Sequence, residues 1–183
     1  MPGGRVRIIS SNNLFEIHTE EMKRLKEKEN IAYDMLYLVP HSLVRKDGID
    51  SCFAKKTEFE KNGVFLWDGT NSNNRESYSV RNDEVRVLQY DSARGLEGWT
   101  VICMDFDEFI KEKDSEYVEG ELDSLLLESP EEHKKKYIYN WVMIPLTRAI
   151  DTLVITLDEC ESEIGRTLKA IADENPDFIS WMC

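Results

Sequence analysis

Short runs of β-branched and other apolar residues recur along the chain, separated by longer stretches that mix apolar and polar positions. The runs occupy residues 6–9, 35–39, 64–67, 85–90, 101–104 and 153–155. Runs of this length are typical of strands, and strands that alternate with helices favour a mainly parallel α/β sheet. We therefore expect an α/β fold with helices on both faces of the sheet.

Helices are predicted where apolar residues return every three or four positions. One such set follows the first run, and another precedes the breaker pair Asn175-Pro176; the two sets are Leu14, Ile17, Met22 and Leu25, and Ile164, Leu168 and Ile171. A third helix is indicated by Ser129-Pro130-Glu131-Glu132, which supplies an N-cap, a first-turn proline and a capping-box glutamate. It should run towards Arg148, and Pro145 inside it predicts a kink.

Composition places the chain among folded proteins of one domain, with 183 residues, 41% hydrophobic and 32% charged. No apolar run approaches the length of about 20 residues that a membrane span needs, and the start lacks an apolar leader, so a cytoplasmic location without membrane contact is expected. The four cysteines and three histidines lack metal-ligand spacing, which predicts reduced thiols and no metal site. Residues 106–129 are acidic and predict a solvated loop or insertion.

Two segments carry the candidate chemistry. Residues 85–99 read VRVLQYDSARGLEGW, and residues 144–155 read IPLTRAIDTLVI. The first resembles motif V of UvrD-like superfamily 1 helicases, a strand followed by a K-G-L-E turn. The second resembles motif VI of the same family, in which L-T-R-A precedes a strand. Their order and separation also resemble the family, so the chain resembles its second, C-terminal RecA-like motor domain, of the P-loop NTPase type but without the Walker A loop.

The resemblance implies that this domain completes an ATP site from across an interdomain cleft. Arg148 would be an arginine finger that stabilises charge on the transferred phosphoryl group. Glu97 would accept hydrogen bonds from the ribose hydroxyls. The remaining implied contacts are nucleotide-binding Gly95, Arg94 and Thr147, and nucleic-acid-binding Asp91 and Ser92. ATP and Mg²⁺ would be the cofactors, and the partners would be an N-terminal RecA-like ATPase domain and single-stranded DNA or RNA.

Several positions depart from the family pattern. Asp91 stands where the family usually has histidine, Arg94 replaces a lysine, and Gly98 intervenes before Trp99. The run at residues 35–40 ends without the arginine of motif IV. The sequence G-x-x-x-x-G-K-[S/T] occurs nowhere in the chain, so the isolated chain is predicted to be inactive as an ATPase. The net charge of -13 predicts that the isolated chain binds nucleic acid weakly.

Simpler hypotheses remain open for the same residues. Arg148 could be a helix-end cation and Glu97 a helix-start anion, both favourable through the helix dipole. A rival function is a non-catalytic protein-interaction module derived from a helicase domain. A third hypothesis is a metal-dependent nuclease built on Asp105, Asp107 and Glu108, which follow an apolar run as Mg²⁺-binding acids often do.

Overall fold

The computed structural model describes residues 4–47, 50–71, 73–77, 81–118 and 129–183, and in these ranges the protein is an α/β structure. The strands are β1 (Arg5–Ser10), β2 (Met35–Val39), β3 (Val44–Asp47), β4 (Asp50–Phe53), β5 (Phe65–Asp68), β6 (Glu84–Gln89), β7 (Gly98–Cys103), β8 (Ala149–Leu157) and β9 (Ile179–Met182). The helices are α1 (Leu14–Glu27), α2 (Lys56–Lys61), α3 (Phe106–Glu116), α4 (Pro130–Leu146) and α5 (Glu163–Glu174).

Seven strands form one parallel sheet in the order β5-β6-β2-β7-β8-β1-β9. All six strands predicted from the apolar runs lie in this sheet, so the prediction of a mainly parallel sheet is confirmed. The edge strand β9 was not predicted. Strands β3 and β4, also not predicted, pair antiparallel in a small separate hairpin.

Helices cover both faces of the sheet, as expected. Because successive strand residues point to opposite faces, neighbours such as Ile8 and Ile9 belong to different apolar cores. Ile9 packs with α1, α2 and the hairpin, whereas Ile8 packs with α3, α4 and α5. None of the helices in the described parts of the chain combines the length and apolar character that crossing a membrane requires.

Helix α4 begins as predicted. The hydroxyl of Ser129 accepts the backbone N–H of Glu132 at 3.3 Å, and the Glu132 carboxylate accepts the N–H of Ser129 at 2.8 Å. Pro130 occupies the first turn, and Pro145 lies in the last turn, one residue before the helix ends. The proline therefore removes the N–H that would otherwise donate to the carbonyl of Trp141, close to the end of α4.

The first part of the acidic segment at residues 106–129, for which a loop, an insertion or a marginal helix was predicted, is helical in the structure. Residues 106–116 form α3, in which Phe106, Phe109 and Lys113 are buried on one helical face. Asp107 is also fully buried, and its carboxylate accepts the backbone N–H groups of Asp158 and Glu159, each at 3.0 Å. The acidic composition concealed this amphipathic pattern. Residues 119–128 lie outside the described part of the chain.

The prediction that all four cysteines are reduced thiols is wrong, because Cys160 and Cys183 form a disulfide. Strand β9 pairs with β1, and this brings the Cys183 region beside the turn that precedes α5. The two Cα atoms are 5.7 Å apart although the residues are 23 positions apart in sequence. Such a spacing has no local signature. Cys52 and Cys103 are free.

Candidate functional site

The two segments singled out in the sequence meet at the edge of the sheet where the neighbouring strands β7 and β8 begin. The backbone N–H of Gly98 donates to the carbonyl of Arg148 at 3.1 Å. A Cβ at Gly98 would lie 3.0 Å from the Cβ of Leu36, so the glycine avoids a tight contact at this position. The turn at residues 94–97 and the pair Thr147-Arg148 are thus brought together by strand pairing.

The Arg148 guanidinium is half-buried and held by uncharged acceptors. Its Nε donates to the carbonyl of Ile144 at 3.0 Å, its Nη2 to the hydroxyl of Thr147 at 2.9 Å, and its Nη1 to the carbonyl of Leu96 at 3.5 Å. Thr147 is itself fixed, since its hydroxyl donates to the carbonyl of Met143 at 2.8 Å. Within the described ranges Arg148 forms no ion pair with a carboxylate, so its charge is available to an external anion.

A second arginine holds the same turn. Arg86 Nη2 donates to the carbonyl of Glu97 at 2.7 Å, and its Nε donates to the carbonyl of Tyr33 at 2.7 Å. Its guanidinium carbon lies 4.5 Å from the centre of the Tyr33 ring. Burial lowers the pKa of the Arg86 guanidinium from its usual value. Sequence reasoning missed this residue, although an arginine inside the apolar run VRVLQ was a usable signal of a buried functional or structural charge.

The turn itself presents Glu97 to solvent. Arg86 and Arg148 bind the successive carbonyls of Glu97 and Leu96, while the Glu97 side chain is exposed and makes no hydrogen bond to a described residue. Gly95 has a positive φ of 77°, a conformation that favours glycine. The turn is therefore fixed through its backbone, and its carboxylate is left free to accept from a ligand.

Trp141 of α4 connects this turn to α3. The Arg94 guanidinium lies 5.0 Å from the centre of the indole ring, and the Lys113 ammonium lies 4.4 Å from it. Such cation–π contacts contribute about 0.5–2 kcal/mol each, more when water is excluded. Arg94 is thus directed onto Trp141, and the same ring packs α4, which ends beside Arg148, against α3.

Asp91 is engaged within the protein. Its carboxylate forms an ion pair with Lys113 at 3.0 Å, and Lys113 also binds Glu116 at 2.7 Å. Burial opposes the charge of Lys113, yet the hydrogen bonds to Glu116 and Asp91 outweigh it and raise the pKa of the lysine. Ser92 ends a short 3-10 turn after β6 and is half-buried. The two residues that the resemblance assigns to nucleic acid therefore differ in accessibility.

The acidic residues after β7 have structural partners. Asp105 accepts from the hydroxyl of Ser11 at 2.5 Å and pairs with Lys55 at 3.5 Å. Asp105 also has a left-handed backbone, with φ of 46°, at the start of α3. Both carboxylate oxygens of Asp107 accept backbone N–H groups, as described above. The described parts of the chain contain no group of three or more His, Cys, Asp or Glu side chains that could hold a metal ion.

Exposed apolar side chains surround the end of α4. Tyr139 and Met143 are 63% and 55% exposed, and Ile150 at the start of β8 is 58% exposed. Tyr139 and Met143 are four residues apart and so share one face of the helix. Met143 lies one turn before Thr147, which places this apolar stripe beside the Arg148 guanidinium. Exposed apolar side chains that cluster on a surface commonly mark a contact with another protein.

Neither a family model nor a curated protein matches this chain. The arrangement around Arg148 is therefore the best guide to its chemistry. It combines an arginine that has no acidic partner among the described residues, an exposed carboxylate at Glu97, and a backbone turn that is held by Arg86 and Arg148. This set can bind a phosphorylated ligand that approaches from outside, and it contains no group placed to activate a nucleophile by itself.

Proposed function

We propose that the chain is the second RecA-like motor domain of a UvrD-like, ATP-dependent DNA or RNA helicase or translocase. The observation that supports this most directly is the contact between the two motif-like segments. Arg148, without an acidic partner, reaches the turn that carries Glu97, and both lie at one edge of a parallel sheet. In this proposal the edge faces a nucleotide held by another RecA-like domain.

Each residue then has a distinct role. Arg148 stabilises charge on the transferred phosphoryl group, for which its planar fork of donors is suited. Thr147 orients that fork through its hydroxyl. Glu97 accepts from the ribose hydroxyls, and Arg94 and Gly95 shape the turn. ATP and Mg²⁺ arrive with the partner domain, because the chain has no phosphate loop of its own.

The apolar stripe beside Arg148 supports a partner surface at this edge. A domain that covered Tyr139, Met143 and Ile150 would bury apolar area and exclude water from the Arg148 guanidinium. Water exclusion strengthens the attraction between that guanidinium and phosphate oxygens. Contact with single-stranded nucleic acid is shared with the partner, since the net charge of -13 is unfavourable for the chain alone.

The test is ATP turnover by a polypeptide that joins this chain to a domain carrying G-x-x-x-x-G-K-[S/T]. The chain alone should hydrolyse ATP no faster than buffer. In the joined protein, Arg148→Ala should lower turnover at saturating ATP and nucleic acid by a factor on the order of a thousand. Arg166→Ala is the matched control, because Arg166 is exposed on α5 and its side chain, among the described residues, bonds only to the carbonyl of Glu161. Turnover by Arg148→Ala close to wild type would contradict the motor assignment.

A non-catalytic interaction module is the second candidate. The partners that the site residues already have within this chain favour it. All three guanidinium nitrogens of Arg148 bond to groups of this chain, and the Asp91 carboxylate pairs with Lys113. A module of this kind would use the apolar stripe to hold a partner without any nucleotide. Partner binding that is lost in Met143→Asp but kept in Arg148→Ala would support it.

A further inference from the structure

A pocket of about 330 Å³ opens on one face of the sheet, over strands β5 and β6. The connection from β6 to β7 has one 3-10 turn and no α-helix, so this part of the face is left without a covering helix. The lining includes Tyr33, Trp67, Arg75, Arg86, Ser92 and Leu96. Arg148 is not part of it. The pocket contains two arginines and two aromatic rings, a combination that the motor proposal does not use.

Arg86 is a buried cation that forms no ion pair with a carboxylate in the part of the chain that the structure describes. It is only 8% exposed, and its two hydrogen bonds go to the carbonyls of Tyr33 and Glu97. The third nitrogen, Nη1, makes no hydrogen bond to any of the described residues. The charge of the Asp34 carboxylate favours the charged form of Arg86. This carboxylate accepts the N–H of Ile31, however, and lies beyond ion-pair distance of Arg86. The carbonyls and the Tyr33 ring stabilise this charge only in part, so an anion that reached the guanidinium would stabilise it further.

Arg75 brings a second positive charge to the same pocket. Its Nε donates to the carbonyl of Gly69 at 2.6 Å, and its Nη2 makes a long contact of 3.4 Å with the amide oxygen of Gln89. It forms no ion pair with a carboxylate of the described residues. Two unneutralised guanidinium groups in one pocket are notable in a chain whose net charge is -13. They make this pocket a local site for an anion.

The aromatic side chains define what accompanies the anion. The indole N–H of Trp67 donates to the carbonyl of Ser77 at 3.1 Å, which fixes the ring in the pocket wall. The ring lies against Gly69, where an added Cβ would be only 2.6 Å from it. Tyr33 lies under the Arg86 guanidinium. Aromatic walls next to arginines are the usual combination for a nucleobase with its phosphate.

We propose that this pocket binds a phosphate group attached to a nucleoside, either in a free nucleotide or in a nucleic-acid strand. Arg75 and Arg86 would donate to the phosphate oxygens, Ser92 would add a hydroxyl, and the base would lie against Trp67. Two guanidinium forks match the several oxygens of a phosphate better than a single carboxylate. The proposal goes beyond the motor function, because it needs neither Arg148 nor a partner domain.

The test is a titration of the isotope-labelled chain followed by NMR at low ionic strength. The probes are inorganic phosphate, AMP and an unphosphorylated hexathymidylate, whose only phosphates are diesters. AMP should shift the Trp67 indole and Arg86 Nε signals with a dissociation constant on the order of 1 mM. Trp67→Phe identifies the indole signal. Arg75→Gln and Arg86→Gln should each weaken binding by about tenfold or more, because each removes charge-assisted hydrogen bonds.

Arg166→Gln is the matched control, since it removes the same charge on distant α5 and should change affinity less than about twofold. Should Arg86→Gln unfold, Arg75→Gln still tests the site, because Arg75 is on a surface turn. Hexathymidylate binding tighter than AMP would identify a strand as the ligand, and equal or weaker binding would identify a free nucleotide. Inorganic phosphate binding as tightly as AMP overturns the nucleoside part. No shift at Trp67, or equal losses in Arg75→Gln and Arg166→Gln, overturns the whole proposal.

Discussion

His18 makes the stability of the protein sensitive to mild acid. Its ring is 8% exposed, and Nδ1 lies 2.6 Å from the hydroxyl of Tyr37, which is itself fully buried. Burial chiefly, and then the charge of Lys26, lowers the pKa of His18 to about 4. The histidine is therefore neutral in the folded protein at every pH above that value.

The direction of the effect follows from comparing the two states. In the unfolded chain His18 takes up a proton near its ordinary pKa of about 6.5, whereas the folded state resists it until pH is about 4. Acid therefore favours the unfolded state between these values. Stability is unaffected above the upper value, falls through the interval and levels off below it. The pKa difference corresponds to about 2 kcal/mol lost between pH 7 and pH 5, and about 3 kcal/mol in full.

The assay is urea unfolding at pH 7 and pH 5 of three proteins. These are the wild type, His18→Gln, and the control His41→Gln, which replaces an exposed histidine. Carboxyl groups titrate alike in all three, so the difference between variants isolates His18. The wild type and His41→Gln should lose about 2 kcal/mol more than His18→Gln on acidification. An equal pH dependence in His18→Gln and the wild type would refute the assignment of a neutral, buried imidazole.

Three further outcomes are expected. In the joined two-domain protein, Glu97→Ala should mainly weaken nucleotide binding, whereas Arg148→Lys should restore little of the turnover lost in Arg148→Ala; steady-state kinetics separates the two effects. Trp141→Ala should destabilise the chain by about 2–4 kcal/mol in urea unfolding, because it removes a packed ring and two cation–π contacts. Reduction of the Cys160–Cys183 disulfide should lower the free energy of unfolding by about 3 kcal/mol, as expected for its loop length, and Cys160→Ser should then be insensitive to reductant.

The sheet could be predicted from sequence largely because its strands are apolar on both faces. Strand β2 is buried throughout, and so its run MLYLV stands out against polar surroundings. The missed strands are short and polar. Residues 44–47 read VRKD and residues 50–53 read DSCF, and such segments become strands only because they pair with each other. The edge strand β9 likewise depends on its pairing with β1.

The candidate site was predictable as far as it depends on strand order. Residues that precede β7 and β8 come together because these strands are parallel neighbours, and the motif-like segments mark both starting points. The interactions that fix the site are not local. Arg86 reaches the carbonyls of Tyr33 and Glu97, which lie 53 and 11 positions away, and no periodicity predicts such contacts. The same is true of the Lys113–Asp91 pair.

In the proposed motor, the hydrogen bonds that hold Arg148 would also slow ATP hydrolysis in the absence of the partner domain or nucleic acid. Three of the five guanidinium N–H groups already bond to the carbonyls of Ile144 and Leu96 and to the hydroxyl of Thr147. The guanidinium can therefore turn its full set of donors towards a phosphate only by giving up some of these bonds. A hydrogen bond from a charged donor contributes about 1.5–3 kcal/mol, so giving up one without replacement slows the reaction by about ten- to a hundredfold. Binding of the partner domain or of nucleic acid would move the turn at residues 94–97 and so free Arg148 from some of these hydrogen bonds. The conformation of this one backbone turn would then couple ATP hydrolysis to movement along nucleic acid.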